Sequence, residues 1–299
     1  MKNHTLYPVE QKLRPEWLKV RLSSGSGFLQ IKNVLRERNL HTVCEEAVCP
    51  NIGECFERGT ATFLILGDVC TRDCGFCAVK KGHPSGVDGD EPRRIAGAVM
   101  EMKLNYAVIT SVTRDDLPDG GASIYALTIQ SIKERRCGCK VEILIPDFAG
   151  SSEALETVIQ AHPDVLNHNV ETVPRLYPRV RPFANYARSL AILRDARKKG
   201  ECLTTKSGLM VGLGETWEEL LQTMGDIRNT GCDMLTLGQY LRPNKNSLPI
   251  HRYYTPDEFD QLRVEGERMG FKQVQSGPLV RSSYYAERLS DDVSASSRF

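Results

Sequence analysis

The stretch Cys70-Thr71-Arg72-Asp73-Cys74-Gly75-Phe76-Cys77 carries three cysteines in eight residues, spaced C-x3-C-x2-C. The apolar run Thr62-Phe63-Leu64-Ile65-Leu66 leads into it, and a glycine- and lysine-rich segment follows. A compact loop after a strand can turn three thiolates toward one point, which suits a cubane iron–sulfur cluster. Four-iron clusters normally take four cysteine ligands. The local motif stops at three, so one iron is left open to bind and activate something. A structural zinc site is the alternative, with His83, six residues on, as fourth ligand. Closed zinc sites favour two tight ligand pairs, and the C-x3-C-x2-C spacing does not match them.

Outward from this loop, strand-like apolar runs alternate with helical segments. Strands are predicted near 62–67, 106–112, 141–146, 165–170, 208–213 and 234–241. Helices are predicted near 91–103, 121–136, 152–161, 186–199, 216–230 and 256–269. Thr216 followed by Glu219, and Thr255 followed by Pro256 and Glu258, are helix starts with capping-box chemistry. Strand–helix alternation implies an α/β fold with parallel strands. Six such units curl toward a barrel but fall short of the eight that close one. The chemistry of such folds sits at the C-terminal ends of the strands, where the Cys70–Cys77 loop lies.

Before the barrel, residues 1–60 read as an N-terminal extension. A short amphipathic piece begins at Pro15, and residues 28–39 have a helical apolar period. Residues 41–55 read as loop or short turns, broken by Pro50, Asn51 and Gly53. This segment holds a second triplet, Cys44, Cys49 and Cys55, spaced C-x4-C-x5-C. The spacing is too long for a zinc knuckle, and a second iron–sulfur cluster with one distant ligand fits better. After the barrel, 274–285 reads as an extended tail with a turn at Gly277-Pro278, and 290–299 as a polar tail. The expected divisions are 1–60, 61–270 and 271–299.

The 299 residues carry 39 basic and 38 acidic side chains, a net charge of +1. This balance gives no electrostatic case for a nucleic-acid or membrane partner. No apolar run reaches membrane-spanning length, and Met1 to Pro8 resembles neither a signal nor a transit peptide. The expected location is the cytoplasm. Ten cysteines in a reducing compartment point to metal binding or catalysis rather than disulfides. Cys202 and Cys232 read as small core residues and Cys137-Gly138-Cys139 as a turn. His168 reads as either a substrate contact or a core histidine, and Arg242-Pro243-Asn244 as either substrate mouth or ordinary loop.

The C-x3-C-x2-C spacing, with an aromatic before the last cysteine, resembles the signature of the radical S-adenosylmethionine (SAM) superfamily. The segment VCEEAVCPNIGEC (43–55), the tetrapeptide Arg281-Ser282-Ser283-Tyr284 and LTLGQYL (235–241) resemble lipoyl synthases. The resemblance runs from about Val43 to Tyr284. It implies a partial (β/α)6 barrel of radical SAM type whose two extensions carry an auxiliary cluster. Cys70, Cys74 and Cys77 would hold a four-iron cluster whose open iron chelates SAM. Cys44, Cys49 and Cys55 would hold the auxiliary four-iron cluster, with Ser283 as its fourth ligand. Many family members have His after this tyrosine; here it is Tyr285.

The family also implies where SAM is held. Residues 111–121 resemble a T-S-V-x-R-D-D-x-x-D-G-G element, making Ser111 and Arg114 candidates for the SAM carboxylate and amine. Asn169 and Glu171 are candidates for the ribose hydroxyls. Gly212, in a stretch fitting G-x-I-x-G-x-x-E, would let adenine approach the backbone; plain strand and helix-start punctuation reads that stretch equally well.

The implied reaction inserts two sulfur atoms, at C6 and C8, into an octanoyl chain on a lysine of a carrier domain, drawing sulfur from the auxiliary cluster. The implied partners are octanoylated carriers (2-oxoacid dehydrogenase E2 subunits and the glycine cleavage H protein), a ferredoxin or flavodoxin electron donor, and iron–sulfur assembly proteins. Two readings compete: another radical SAM sulfur-inserting enzyme, biotin-synthase-like or methylthio-transferring, and a non-catalytic metal-stabilised binding module.

Overall fold

The computed structural model describes residues 14–20, 25–200 and 203–287. Cys202 and the 290–299 tail therefore lie outside the described residues. In chain order the strands are β1 (His41–Thr42), β2 (Thr62–Ile65), β3 (Val69–Cys70), β4 (Lys80–Lys81), β5 (Tyr106–Ser111), β6 (Lys140–Leu144), β7 (Val165–Asn167), β8 (Thr204–Val211), β9 (Met234–Gln239) and β10 (Gln273–Gly277). The α-helices are α1 (Ser26–Glu37), α2 (Val43–Glu46), α3 (Ile52–Glu57), α4 (Glu91–Glu101), α5 (Ala122–Arg135), α6 (Ser152–Gln160), α7 (Tyr177–Val180), α8 (Tyr186–Lys199), α9 (Trp217–Asn229) and α10 (Pro256–Arg268).

Eight strands form one sheet in the order β1-β2-β5-β6-β7-β8-β9-β10. Every pair from β2 to β10 is parallel. Parallel neighbours need crossover connections, and α4, α5, α6, α8, α9 and α10 supply them. These are the six strand–helix units expected from the sequence. The central strands are mostly buried, β2, β7 and β9 without a break, as expected of strands covered on both faces.

The helix starts follow their caps. Thr216 Oγ1 accepts from Glu219 N at 3.2 Å, while Glu219 Oε2 accepts from Thr216 N at 2.9 Å. Thr255 and Glu258 repeat the arrangement at α10. Each such cap is worth about 1 kcal/mol. Behind the cap, α9 buries Leu220, Met224 and Ile227 against the sheet, about 1.5–3 kcal/mol for each large side chain.

Four strands lie outside the expected six: β3 and β4 pair with each other in a separate two-stranded sheet, and β1 and β10 come one from each extension. The start of the C-terminal tail forms β10, paired with β9 from Gln273↔Met234 to Gly277↔Gly238. At the other edge β1 pairs antiparallel with β2. Residues 41–55 are more regular than a loop. The Thr42 hydroxyl accepts from Glu45 N at 3.3 Å and starts α2. After Pro50-Asn51, α3 is anchored by Phe56, which is fully buried and stacks on Phe28 of α1 at 5.5 Å.

Strand β8 begins four residues before its predicted start, because Lys206 is polar yet wholly buried. Side chains two apart share a strand face, so Lys206 lies on the face of Gly208 and Met210, which line the central cavity. Lys206 Nζ pairs with Glu142 at 2.9 and 3.2 Å. Tyr106 Oη donates to Glu142 Oε2 at 2.6 Å, and Asn167 Nδ2 to Oε1 at 3.2 Å. Four strands are thus tied together by one buried carboxylate. Removing one partner of a buried ion pair costs about 3–5 kcal/mol, and replacing both by apolar groups costs far less. Glu142→Ala should therefore lower the urea midpoint of the apo protein sharply, and Glu142→Leu with Lys206→Met should recover most of the loss. Equal midpoints for the single and double variants would show that the pair does not act as a unit.

Candidate active site

The loop from Cys70 to Cys77 has little regular structure and is held from outside. Gly75 N donates to Val180 O at 3.0 Å, and Leu248 N donates to Gly75 O at 2.9 Å. Thr71 N donates to Thr113 O at 3.0 Å. Arg72, between the first two cysteines, is buried; its guanidinium makes two bonds of 2.7 Å to Asp115 and an ion pair of 2.6 Å with Asp147. Gly75 fits because a Cβ there would meet Leu248 at 2.9 Å and Arg179 O at 3.1 Å. Cys70 Sγ accepts from Thr113 N at 3.3 Å. Burial pushes the Cys74 thiol up to about 12; Arg181 opposes the shift, and Cys77 and Cys70 lie close enough to add to it.

The second triplet converges as well. Cys44, Cys49, Cys55 and Ser283 border one small cavity of about 30 Å³. Burial raises all three thiols, and Cys49 lies close enough to raise Cys44 and Cys55 further. Ser283 arrives there because the two extensions meet. Asn51 Nδ2 donates to Leu279 O at 2.7 Å. The Tyr284 and Tyr285 hydroxyls donate to the Glu54 carboxylate at 3.0 and 2.6 Å. Arg58 pairs with Glu287 at 2.6 Å and stacks over the Tyr285 ring at 3.9 Å. Tyr285 thus fastens the C-terminal segment to α3.

Members of both triplets border one larger cavity of about 240 Å³ at the C-terminal ends of the strands, whereas Cys70, Cys74 and Cys55 are not among its lining residues. Cys77 faces it from the barrel loop, and Cys44 and Cys49 from the extension. Ser282 and Ser283, Asn169 and Glu171, and the apolar Leu144, Leu209, Met210 and Tyr240 complete much of the wall. Glu171 has a backbone φ of +70°, a strained conformation for a residue with a side chain. Its N–H and C=O are nonetheless satisfied by Gly208 and Met210. Asn169 Nδ2 donates to Glu171 Oε1 at 3.0 Å and to Ser282 Oγ at 2.7 Å, while Asn169 Oδ1 is buried without a partner. Beneath them Arg181 donates to Asn169 O, Val170 O and the Tyr177 hydroxyl, and its Nε is a further buried orphan. Burial raises the Glu171 carboxyl above its ordinary range, opposed by Arg181 and Asn169.

The sequence profile of the radical SAM superfamily matches residues 64–227, and that of the N-terminal domain of lipoyl synthase matches residues 2–49. A lipoyl synthase of Rubrobacter xylanophilus is 58% identical over 280 residues, 94% of this chain and 87% of the relative. A lipoyl synthase of a Roseiflexus species is 54% identical, covering 93% of each chain. The chain belongs to the lipoyl synthase family. Among solved structures, methylornithine synthase aligns with a TM-score of 0.53 and 15% identity, over 88% of this chain and 81% of that one, which shows a shared fold. Lipoyl synthases are sulfurtransferases that work with SAM and two four-iron clusters.

The residues present fit those groups. All nine described cysteines are free thiols. Among the described residues no three His, Cys, Asp or Glu are placed to hold a single metal ion; on a four-iron cluster each thiolate takes a different iron, so the ligands stand further apart. The small cavity presents three thiols together with hydroxyl-bearing residues that include Ser283, and the larger one an unpartnered amide oxygen.

The other lipoyl synthase candidates are distributed unevenly. Asn169 and Glu171 line the cavity. Ser111 accepts from the Tyr125 hydroxyl at 3.0 Å and is not among the lining residues. Arg114 is buried, with its guanidinium committed to Asp116 at 2.8 Å and to Ser85 O at 3.0 Å. Gly212, at φ +99°, donates its N–H to Glu215 at 2.6 Å, and a Cβ there would strike Gln239 and Arg252 O. His168 is a core residue: its ring nitrogens bond to Ile145 O at 2.9 Å and Ser189 Oγ at 3.1 Å, and burial pushes its pKa to about 4. Pro243 lines the cavity.

Arg181 and Tyr177 were invisible to motif reading, because each stands alone in its stretch of sequence, and Thr236 lies inside the LTLGQYL motif without being singled out there. Arg181 follows Leu176-Tyr177-Pro178-Arg179-Val180, where a second arginine two residues earlier leaves no signal to single it out. Gly208 tests the packing of the wall. A Cβ there would lie 2.8 Å from both Asn169 Oδ1 and Thr236 Oγ1. Gly208→Ala should cost about 1–3 kcal/mol, the range for overpacking, and weaken SAM binding in equilibrium dialysis. Unchanged SAM affinity would separate Asn169 from the SAM site.

Proposed function

We propose that Cys70, Cys74 and Cys77 hold the SAM-binding cluster and that Cys44, Cys49, Cys55 and Ser283 hold the auxiliary cluster of this lipoyl synthase. The enzyme inserts two sulfur atoms into a protein-bound octanoyl chain to make the lipoyl group. The supporting observation is that Cys77 of the first triplet, Cys44 and Cys49 of the second, and Ser283 border one cavity, with Cys55 beside Ser283 in the adjoining small one and Cys70 and Cys74 close to Cys77. When bound, the first cluster and SAM supply the radical that abstracts hydrogen from carbon, and the auxiliary cluster is the sulfur-donating substrate. On this reading the domain plan is an extension over 1–60, a barrel over 61–270 and a C-terminal piece over 271–299, with the sulfur site built by the two outer pieces.

The chain's own residues orient and exclude water. Leu144, Leu209, Met210 and Tyr240 give the cavity an apolar side that suits an unactivated hydrocarbon chain. Asn169 and Glu171 give it a polar side, on which SAM can be hydrogen-bonded; Ser111, Arg114 and Gly212 support the strand ends around it. The orphan Asn169 Oδ1 is an acceptor available to a ribose hydroxyl. Ser283 offers oxygen where the other three positions offer sulfur, and an alkoxide ligand requires iron to depress the hydroxyl pKa strongly. That harder ligand suits an iron that must be released as sulfide is consumed.

Lipoyl carrier proteins are the substrate class. The finer set of partners on this reading is the octanoylated E2 subunits and H protein, a ferredoxin or flavodoxin donor, and cluster-assembly proteins. The proposed location is the cytoplasm; no helix among the described residues is long and apolar enough to cross a membrane.

The two triplets should separate by substitution. Cys74→Ala should abolish SAM cleavage, whereas Cys49→Ala should keep SAM cleavage and lose sulfur insertion. Ser283→Ala should behave like Cys49→Ala. Anaerobically reconstituted wild-type protein should hold about eight iron and eight sulfide per chain, from two four-iron clusters, and Cys49→Ala about half. Loss of both activities in Cys49→Ala, with the first cluster intact by its absorption spectrum, would sink the division of roles.

A further inference from the structure

Beside the cavity mouth lies a surface that the chemistry above does not use. Val180 of α7, Phe76 of the cysteine loop, Tyr240 and Leu248 pack in one apolar cluster. This cluster sets the segment after α7 next to the loop at 241–250, whose Leu241 and Pro243 line the cavity. In the segment after α7, Phe183 is 76% exposed. Its backbone φ is +73°, an outlier for so bulky a residue. The strain and the exposure both run against folding stability alone, and such strain gathers at functional sites.

Three cations lie on the two segments that this cluster brings together, Arg179 in α7 and Arg242 and Lys245 in the 241–250 loop. Arg179 and Lys245 are exposed and have no carboxylate partner among the described residues. Arg242 is exposed and donates to the carbonyls of Ser247 and Lys245, not to an acid. Neighbouring cations behave differently: Arg175 is paired with Glu219 and Lys81 with Asp73. In a chain of net charge +1, a local group of unpaired cations beside an exposed aromatic is a distinctive surface. Arg and aromatic residues are the side chains enriched at protein interfaces.

We propose that Phe183, Arg179, Arg242 and Lys245 form the docking surface for the octanoylated carrier domain, and that they meet an acidic face of it. The inference rests on the reading of the chain as an enzyme acting on a protein-borne octanoyl chain. The geometry fits that task. The octanoyl-lysine arm must enter the cavity from its mouth, so the carrier body must sit against the rim. Phe183 supplies an apolar anchor, and the cations supply register and rate of encounter.

The test compares two substrates on the reconstituted holoenzyme with dithionite as reductant: an octanoylated carrier domain, and a short peptide bearing octanoyl-lysine. In wild type, KM for the carrier should rise with ionic strength, because exposed charges are screened, while KM for the peptide should not. Arg179→Glu with Lys245→Glu should raise KM for the carrier on the order of tenfold and flatten its salt dependence. Phe183→Ala should raise it without changing the salt dependence. Turnover of the peptide should be unchanged in all of these variants, which also shows that they fold and load their clusters. Unchanged carrier KM, with peptide turnover intact, would overturn the docking surface and leave the enzyme assignment standing. A wild type that converts neither substrate would overturn the enzyme assignment and the surface with it. If the variants slowed peptide turnover only when flavodoxin replaced dithionite, the surface would belong to the electron donor and the proposal would be wrong.

Discussion

Arg72 is the interaction on which the rest of the site depends. A loop with three thiols and almost no hydrogen-bonded structure of its own cannot hold them converged; conformational entropy alone costs about 1–2 kcal/mol per fixed backbone residue. The Arg72 guanidinium offsets this cost from inside the loop. It reaches Asp115 beyond β5 and Asp147 beyond β6, and Asp147 has no exposed side-chain surface. The planar fork can bond two carboxylates at once, so one residue registers the cysteine loop against two strand ends. Asp147 is held in turn by Arg188 at 3.2 Å. The cysteine spacing becomes geometry only because charges outside the motif position it.

A second constraint is the open side of the barrel. Seven parallel strands do not close a cylinder, and an uncovered edge leaves backbone groups unpaired. Here the gap is flanked by β1 and β10, and the segments attached to those strands reach each other through Asn51, Glu54 and Arg58 on one side and Leu279, Tyr284, Tyr285 and Glu287 on the other. The same joint that covers the edge brings Ser283 to Cys44, Cys49 and Cys55. Covering the fold's weak point and bringing Ser283 to the three thiols are one structural event. That is why side chains from positions 44 and 283, far apart in the chain, share one cavity wall.

The sequence made legible what is local and periodic. The alternation of apolar runs gave six strands and six helices, and Thr216–Glu219 and Thr255–Glu258 marked two helix starts to within a residue. The two cysteine triplets identified the family because their spacing is rarely met otherwise. What was not legible depends on partners far away in sequence. Lys206 looked too polar for a strand interior, and only Glu142 from β6 makes its burial tolerable. The segment at 273–277 is not apolar enough to announce a strand; it becomes one because β9 presents a free edge. Arg181 carries no motif, yet it spans the distance between Cys74 and Glu171.

The cavity wall shows where the fold gives up stability. Glu171 holds a left-handed backbone, Asn169 Oδ1 and Arg181 Nε are buried without partners, and burial disfavours the Glu171 charge. Strain of this kind costs on the order of 1–3 kcal/mol per residue, and an unpaired buried polar atom about as much. These three residues are contiguous through hydrogen bonds, and they face the ends of β7 and β8 rather than the bulk solvent. Elsewhere in the described core, Glu142 shows that the same fold can satisfy a buried carboxylate with three donors. The contrast separates the two buried networks by role. In the lower one the carboxylate itself is satisfied and holds strands together, with only Asn167 Oδ1 left over; in the upper one the unpaired atoms and the strained backbone gather on the cavity wall, where the proposed SAM site would supply the missing partners.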